Sequence, residues 1–126
     1  MRHYCLVFLL SLPAWTAKAQ EPARFSRLID YQGLWQDAIA VKELPNGNYL
    51  AVGRTLGGSI TDNKIFMVWL SPQGDTVQTR THQVENMGHW LTRGGLHIYP
   101  DGSYVLGGSV SDETQGISDY FLAKFG

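Results

Sequence analysis

The side chains able to do chemistry are present but dispersed. Asp62, Asn63, Asp112, Glu113 and Asp119 carry the oxygen atoms that calcium binds. Their spacing fits neither the EF-hand loop nor a glycine- and aspartate-rich nonapeptide, so turn chemistry and loop solvation account for them. His82, His89 and His97 offer imidazoles for zinc or for proton transfer, yet no H-E-x-x-H or comparable pairing joins them. No G-x-S-x-G elbow presents a serine nucleophile, and neither Arg54–Gly58 nor Gly107-Gly108 follows a phosphate-loop pattern. Trp35 and Trp90 could stack on the apolar face of a sugar ring; aromatics that recur at a fixed interval more often pack inside the architecture. With no nucleophile, general base or oxyanion site to assemble, the expected class is a non-catalytic binding or scaffold module without cofactor or metal. Its candidate contacts are Trp35, Trp90, His89, Asp62, Asn63, Asp112 and Glu113.

What would position these residues is an internal repeat. Asp30–Ser71 aligns without a gap on Glu85–Gly126 at an offset of 55 residues. The identities are Gly33/Gly88, Trp35/Trp90, Pro45/Pro100, Gly47/Gly102, Tyr49/Tyr104, Gly53/Gly108 and Phe66/Phe121. They fall on glycine, proline and aromatic positions, where backbone geometry or packing is most demanding.

Within the first unit the pattern predicts four antiparallel strands, about 37–43, 48–54, 64–70 and 75–82. The second unit is expected to supply strands 92–98, 103–109 and 119–125, with no helix. Pro45-Asn46-Gly47 and Pro100-Asp101-Gly102 are hairpin turns: proline presets φ, Asn or Asp tolerates the middle, and glycine takes the left-handed closing position. Tyr49–Val52 and Ile65–Leu70 are apolar on both faces, which calls for cover on both sides. Thr76–His82 is Thr-rich with Arg80 near its middle, as suits a solvated outer strand.

Ahead of the repeat, residues 1–19 read as a secretion signal. A short basic start (Met1-Arg2-His3) precedes the apolar Tyr4–Leu12, and Ala17-Lys18-Ala19 has the small-x-small form that signal peptidase cleaves. That apolar run is too short to span a bilayer, so the mature chain from Gln20 is expected to be secreted, periplasmic or on the cell surface, without a transmembrane segment. The single cysteine, Cys5, leaves with the signal, so packing rather than disulfides must hold the fold. Arg2 and Lys18 leave too, and the remaining balance is mildly acidic with no basic run, which argues against nucleic acid as a partner.

The strings G-L-W-Q-D-A-I-A-V, P-N-G-N-Y-L-A-V-G-R-T and I-F-M-V-W-L-S-P-Q-G-D, echoed by P-D-G-S-Y-V-L-G-G-S and S-D-Y-F-L-A-K-F-G, resemble the tandem propeller-like repeats of secreted bacterial proteins, the SBBP-type repeats. The resemblance covers nearly all of residues 20–126. It implies an all-β fold of two four-stranded antiparallel β-meander blades of β-propeller type, at about 30–84 and 85–126, as a partial propeller or an oligomeric ring. It implies little about activity. Arg24–Asp30 aligns with Thr79–Glu85, the end of an outer strand, so this segment could close the last blade. Two blades fall short of a ring, so the expectation is either a homo-oligomer, a trimer of six blades, or the N-terminal fragment of a longer repeat protein. A glycan or a cell-surface protein is the expected partner of the variable loops.

Overall fold

The computed structural model describes residues 28–84, 87–112 and 116–126. The expected signal at residues 1–19, Arg24–Arg27 of the expected closing segment and Glu113 lie outside the described residues. The protein is all-β. A four-stranded meander, β1 (Trp35–Glu43), β2 (Tyr49–Leu56), β3 (Lys64–Leu70) and β4 (Thr76–His82), is followed by a three-stranded one, β5 (Gly88–Ile98), β6 (Tyr104–Asp112) and β7 (Ile117–Phe125). Every pairing is antiparallel between chain neighbours. All seven expected strands are present. The fifth starts earlier than expected, at Gly88, because ladder pairing continues through Gly88↔Ser111 and Trp90↔Ser109, where hydrophobic alternation gives no signal. A three-residue 3-10 turn, Ile60–Asp62, interrupts the loop between β2 and β3.

Turn chemistry sets the registers. In the β1–β2 turn, Gly47 (φ +82°) donates its N–H to the Leu44 carbonyl at 2.9 Å, and Leu44 donates to Asn48 at 2.7 Å. The β5–β6 turn repeats this with Gly102 (φ +83°), Tyr99 and Ser103 at 2.9 and 2.8 Å. Asn46 and Asp101 hold the turns from inside: each accepts the backbone N–H two residues on, at 3.0 and 2.9 Å. The ladders that follow keep the 55-residue offset. Tyr49 opposes Leu70 and Tyr104 opposes Phe125; Val41 opposes Ala51 and Leu96 opposes Leu106.

Both first-strand ladders break at one place. β1–β2 carries a bulge between Ala38 and Ala40, and β5–β6 a wider one between Leu91 and Leu96. Opposite the bulges stand Gly53 and Gly108. A Cβ on Gly53 would strike the Asp37 carbonyl oxygen, and one on Gly108 the Trp90 carbonyl oxygen. Close backbone approach, not conformational freedom, requires glycine there.

The two sheets pack face to face. Leu50, Val52, Ile65 and Met67 from the first meet Leu96, Tyr104 and Leu106 from the second, with Trp69, Phe121 and Phe125 at the margin. Met67 and Leu106 are fully buried, and the Tyr104 hydroxyl sits 3.5 Å from the Met67 sulfur. Across the seam Trp69 meets Tyr104 edge-on with ring centres 6.0 Å apart, and Arg80 lies over the Phe125 ring at 5.4 Å. On the opposite face of the first sheet, Phe66, Val68 and Leu70 are buried with Ile29, Tyr31 and Tyr49 against them. The first sheet thus buries side chains on both faces, as its doubly apolar strands demand, with an apolar cleft left on the far one. The second sheet alternates buried and open along β6, and β7 is largely exposed.

Truncating the seam should therefore cost far more than truncating the edge. Met67→Ala and Leu106→Ala are each expected to destabilise the chain by about 2–5 kcal/mol. Val77→Ala, on exposed β4, should stay within about 0.5 kcal/mol. Urea midpoints of the three variants check this, and equal midpoints would mean that the two sheets do not share a core.

Candidate functional site: the loop end of the two sheets

Antiparallel register places the short hairpin turns at one end of the sheets and the irregular connections at the other. Among the described residues, this second end gathers residues 57–63, Gln83, Val84 and Met87, the end of β6 at Asp112 and the starts of β1 and β5. A polar cleft of about 310 Å³ opens there, lined by Tyr31, Gln32, Leu34, Gly57, Asp62 and Lys64. That volume falls at the low end of small-ligand sites.

The wall of the cleft is a constrained turn. Gln32 and Gly33 are both left-handed, at φ +56° and +65°. A non-glycine residue in that region is uncommon and is held by its surroundings. Here Leu34 donates its N–H to the Tyr31 carbonyl at 3.1 Å, Gly33 donates to Asp30 Oδ1 at 3.2 Å, and Gln36 Nε2 donates to the Tyr31 carbonyl at 3.1 Å. The far side is the 3-10 turn, where Asp62 Oδ2 accepts the Ser59 N–H at 3.1 Å. Immediately after Leu34, Trp35 projects with 81% of its surface exposed, as the first residue of β1.

The sequence candidates divide between this surface and the interior. Asp62 lines the cleft and Trp35 adjoins it in the chain. Trp90 is half-buried and opposes Ser109. Asp112 ends β6 beside a separate small recess with Met87, Val110 and Asp119. Asn63 is buried, and its carbonyl accepts the His89 N–H at 3.2 Å. His89 is fully buried, so it does not belong to the contact surface. Among the described residues no cluster of three or more histidine or acidic side chains could hold a metal ion.

His89 instead joins the sheets. Its Nε2 accepts the Val84 N–H at 3.2 Å, which leaves the proton on Nδ1 to be donated to the Met87 carbonyl at 3.1 Å. Its ring meets Phe121 and His82 edge-on, at 5.4 and 6.0 Å. Gln83 Nε2 donates to the Thr61 carbonyl, fastening the link to the 3-10 turn that walls the cleft. Burial, then the nearby His82 charge, lowers the His89 pKa despite the opposing backbone contacts; burial, then Arg80, lowers that of His82.

Asp37 and Arg54 form a bidentate ion pair across β1 and β2, with Arg54 Nε 3.0 Å from Asp37 Oδ1. The pair holds the Arg54 pKa above its usual value, chiefly through the hydrogen bond. Sequence reading missed it: counting back from the Pro45-Asn46-Gly47 turn puts Arg54 opposite Ala38, and only the bulge between Ala38 and Ala40 brings Asp37 into register with it. It also missed Tyr31, Gln32 and Lys64 as cleft residues, since only the fold of the 30–34 turn brings them together.

The histidines set a direction for pH. Both are favoured neutral in the fold, whereas unfolded histidines protonate near pH 6.5. Their contribution is therefore intact above that pH and lost as pH falls below it. Protonating His89 Nε2 also sets a donor against the Val84 N–H. The urea midpoint should fall between about pH 7 and 5.5, and His89→Gln should flatten that fall while lowering the midpoint at pH 7.5. An unchanged slope in the variant would contradict this role. No family model, curated protein or solved structure matches the chain.

Proposed function

We propose that this chain is an exported, non-catalytic binding or scaffold module built of two propeller-type repeat units, whose loop end receives a saccharide. The observation that carries the reading is the polar cleft lined by Tyr31, Gln32, Leu34, Asp62 and Lys64, with Trp35, the residue that follows Leu34, 81% exposed. An aromatic platform supplies the apolar contact to a sugar ring, and amide, carboxylate and ammonium groups supply the hydroxyl contacts. The stacked meanders and the constant 55-residue offset of their ladders support the propeller-type reading and the resemblance to SBBP-type repeats. Export rests on the order of basic, apolar and Ala-Lys-Ala segments at the start of the chain.

A second reading is a structural part of a longer repeat array with no ligand of its own. The open face of β7, with Tyr120 and Leu122 exposed, favours it.

A printed glycan array separates the two. The purified chain is expected to be retained on one class of saccharide, and Trp35→Ala to weaken that retention about tenfold, the scale of one aromatic contact. Retention unchanged in Trp35→Ala would remove the indole from the site. No retention of the unaltered chain on any saccharide would leave the structural reading.

A further inference from the structure

The way the two sheets stack specifies what fits the face left open. The face of the first sheet that meets the second carries Leu50, Val52, Ile65 and Met67. Fifty-five residues on, their counterparts are Val105, Gly107, Tyr120 and Leu122. The register puts these on the side of the second sheet turned away from the seam, since Tyr104, Leu106, Phe121 and Phe125 occupy the other. The seam residues Tyr104 and Phe121 are in turn counterparts of Tyr49 and Phe66, which belong to the far face of the first sheet.

The stack is consequently head to tail. One kind of face, call it the Met67 face, receives the other kind, the Phe121 face. A two-fold sandwich would instead pack like on like. Each end of the stack then presents one half of the seam. The second sheet ends on an open Met67-type face, with Tyr120 98% and Leu122 78% exposed. The first sheet ends on a Phe121-type face, where Phe66 and Val68 flank an apolar cleft of about 230 Å³ that also reaches Ala51 and Gly53. Ile29 and Tyr31 of the same chain pack on that face toward its loop end, Tyr31 with its ring 4.7 Å from Phe66, while Tyr49 and Leu70 lie at the hairpin end.

We infer that the Tyr120–Leu122 face is an interaction surface for a second copy of this chain, seated on that copy's Ala51–Phe66–Val68 face. The occupant follows from the chain itself: the seam between its two sheets already joins these two kinds of surface. Leu122 takes the place of Met67 and Lys124 that of Trp69, so both come to lie over the partner's Tyr49, the counterpart of Tyr104. Such a contact is heterologous and propagates until rotation closes it into a ring. It deepens the scaffold reading and rests on the stacked units of that reading, not on the saccharide.

The exported chain has no cysteine once the signal is removed, so single cysteines make a clean probe. Lys124→Cys and Tyr49→Cys chains, each purified and then mixed, should be joined by a short bismaleimide into a covalent dimer that neither variant forms alone. Sedimentation should show a concentration-dependent oligomer, and Leu122→Glu, at a site exposed within the single chain, should weaken it about tenfold or more. Circular dichroism of Leu122→Glu should stay native. A monomer at all concentrations, or Lys124→Cys chains that cross-link only to one another, would overturn the interface. A monomer retained on the glycan array would spare the saccharide site, and an oligomer retained on none would spare the interface.

Discussion

A strand with two apolar faces must be covered twice, and the rest of this structure follows from that constraint. β3 buries Ile65 and Met67 toward the second sheet and Phe66, Val68 and Leu70 on the other side. Removing such side chains from water contributes about 1.5–3 kcal/mol each, against about 0.5–1.5 kcal/mol net for each hydrogen bond of a hairpin. The second sheet is held because it offers Tyr104 and Leu106 to the Met67 face. Once it is seated, the loops of both sheets share one end.

That shared end is where stability and surface chemistry meet. His89 is polar and buried at the junction, which is tolerable because both ring nitrogens have backbone partners. The same contacts hold Val84 and Met87, and Gln83 ties its backbone neighbour Val84 to the 3-10 turn beside the cleft. The proposed contact residues thus stand on a braced support: Asp62 on the turn, and Trp35 on the first residue of a paired strand. The Asp37–Arg54 pair further ties that strand to β2 near the bulge. Its counterparts, Thr92 and Ser109, carry no charge, so the second sheet dispenses with this tie.

The strands and short turns were legible because local chemistry dictates them. Pro-Asn-Gly and Pro-Asp-Gly have few alternatives as turns, and the apolar strings on either side can pair in one register only. Recurring glycines were legible as special positions, though the reason for Gly53 and Gly108, a carbonyl pressed against each Cα, needed the bulges to be seen. The site was less legible. His89 and Trp35 both lie at the start of the first strand of a unit, His89 where the 55-residue frame has Leu34, yet one is sealed between the sheets and the other open. What separates them is tertiary: His89 is capped by a link and a turn distant in sequence, while Trp35 begins an edge strand. The cleft residues Tyr31, Gln32 and Lys64 come from two segments that meet only after the sheet forms, and no spacing rule connects them.

The central claim is that the two sheets stack head to tail, Met67 face on Tyr104 face. Nuclear Overhauser contacts from the Met67 ε-methyl group test it most directly. The account predicts strong contacts to the Tyr104 ring and to the Leu106 methyls within one chain. Contacts from Met67 to Tyr120 or Leu122 instead would mean that like faces meet, and would contradict it.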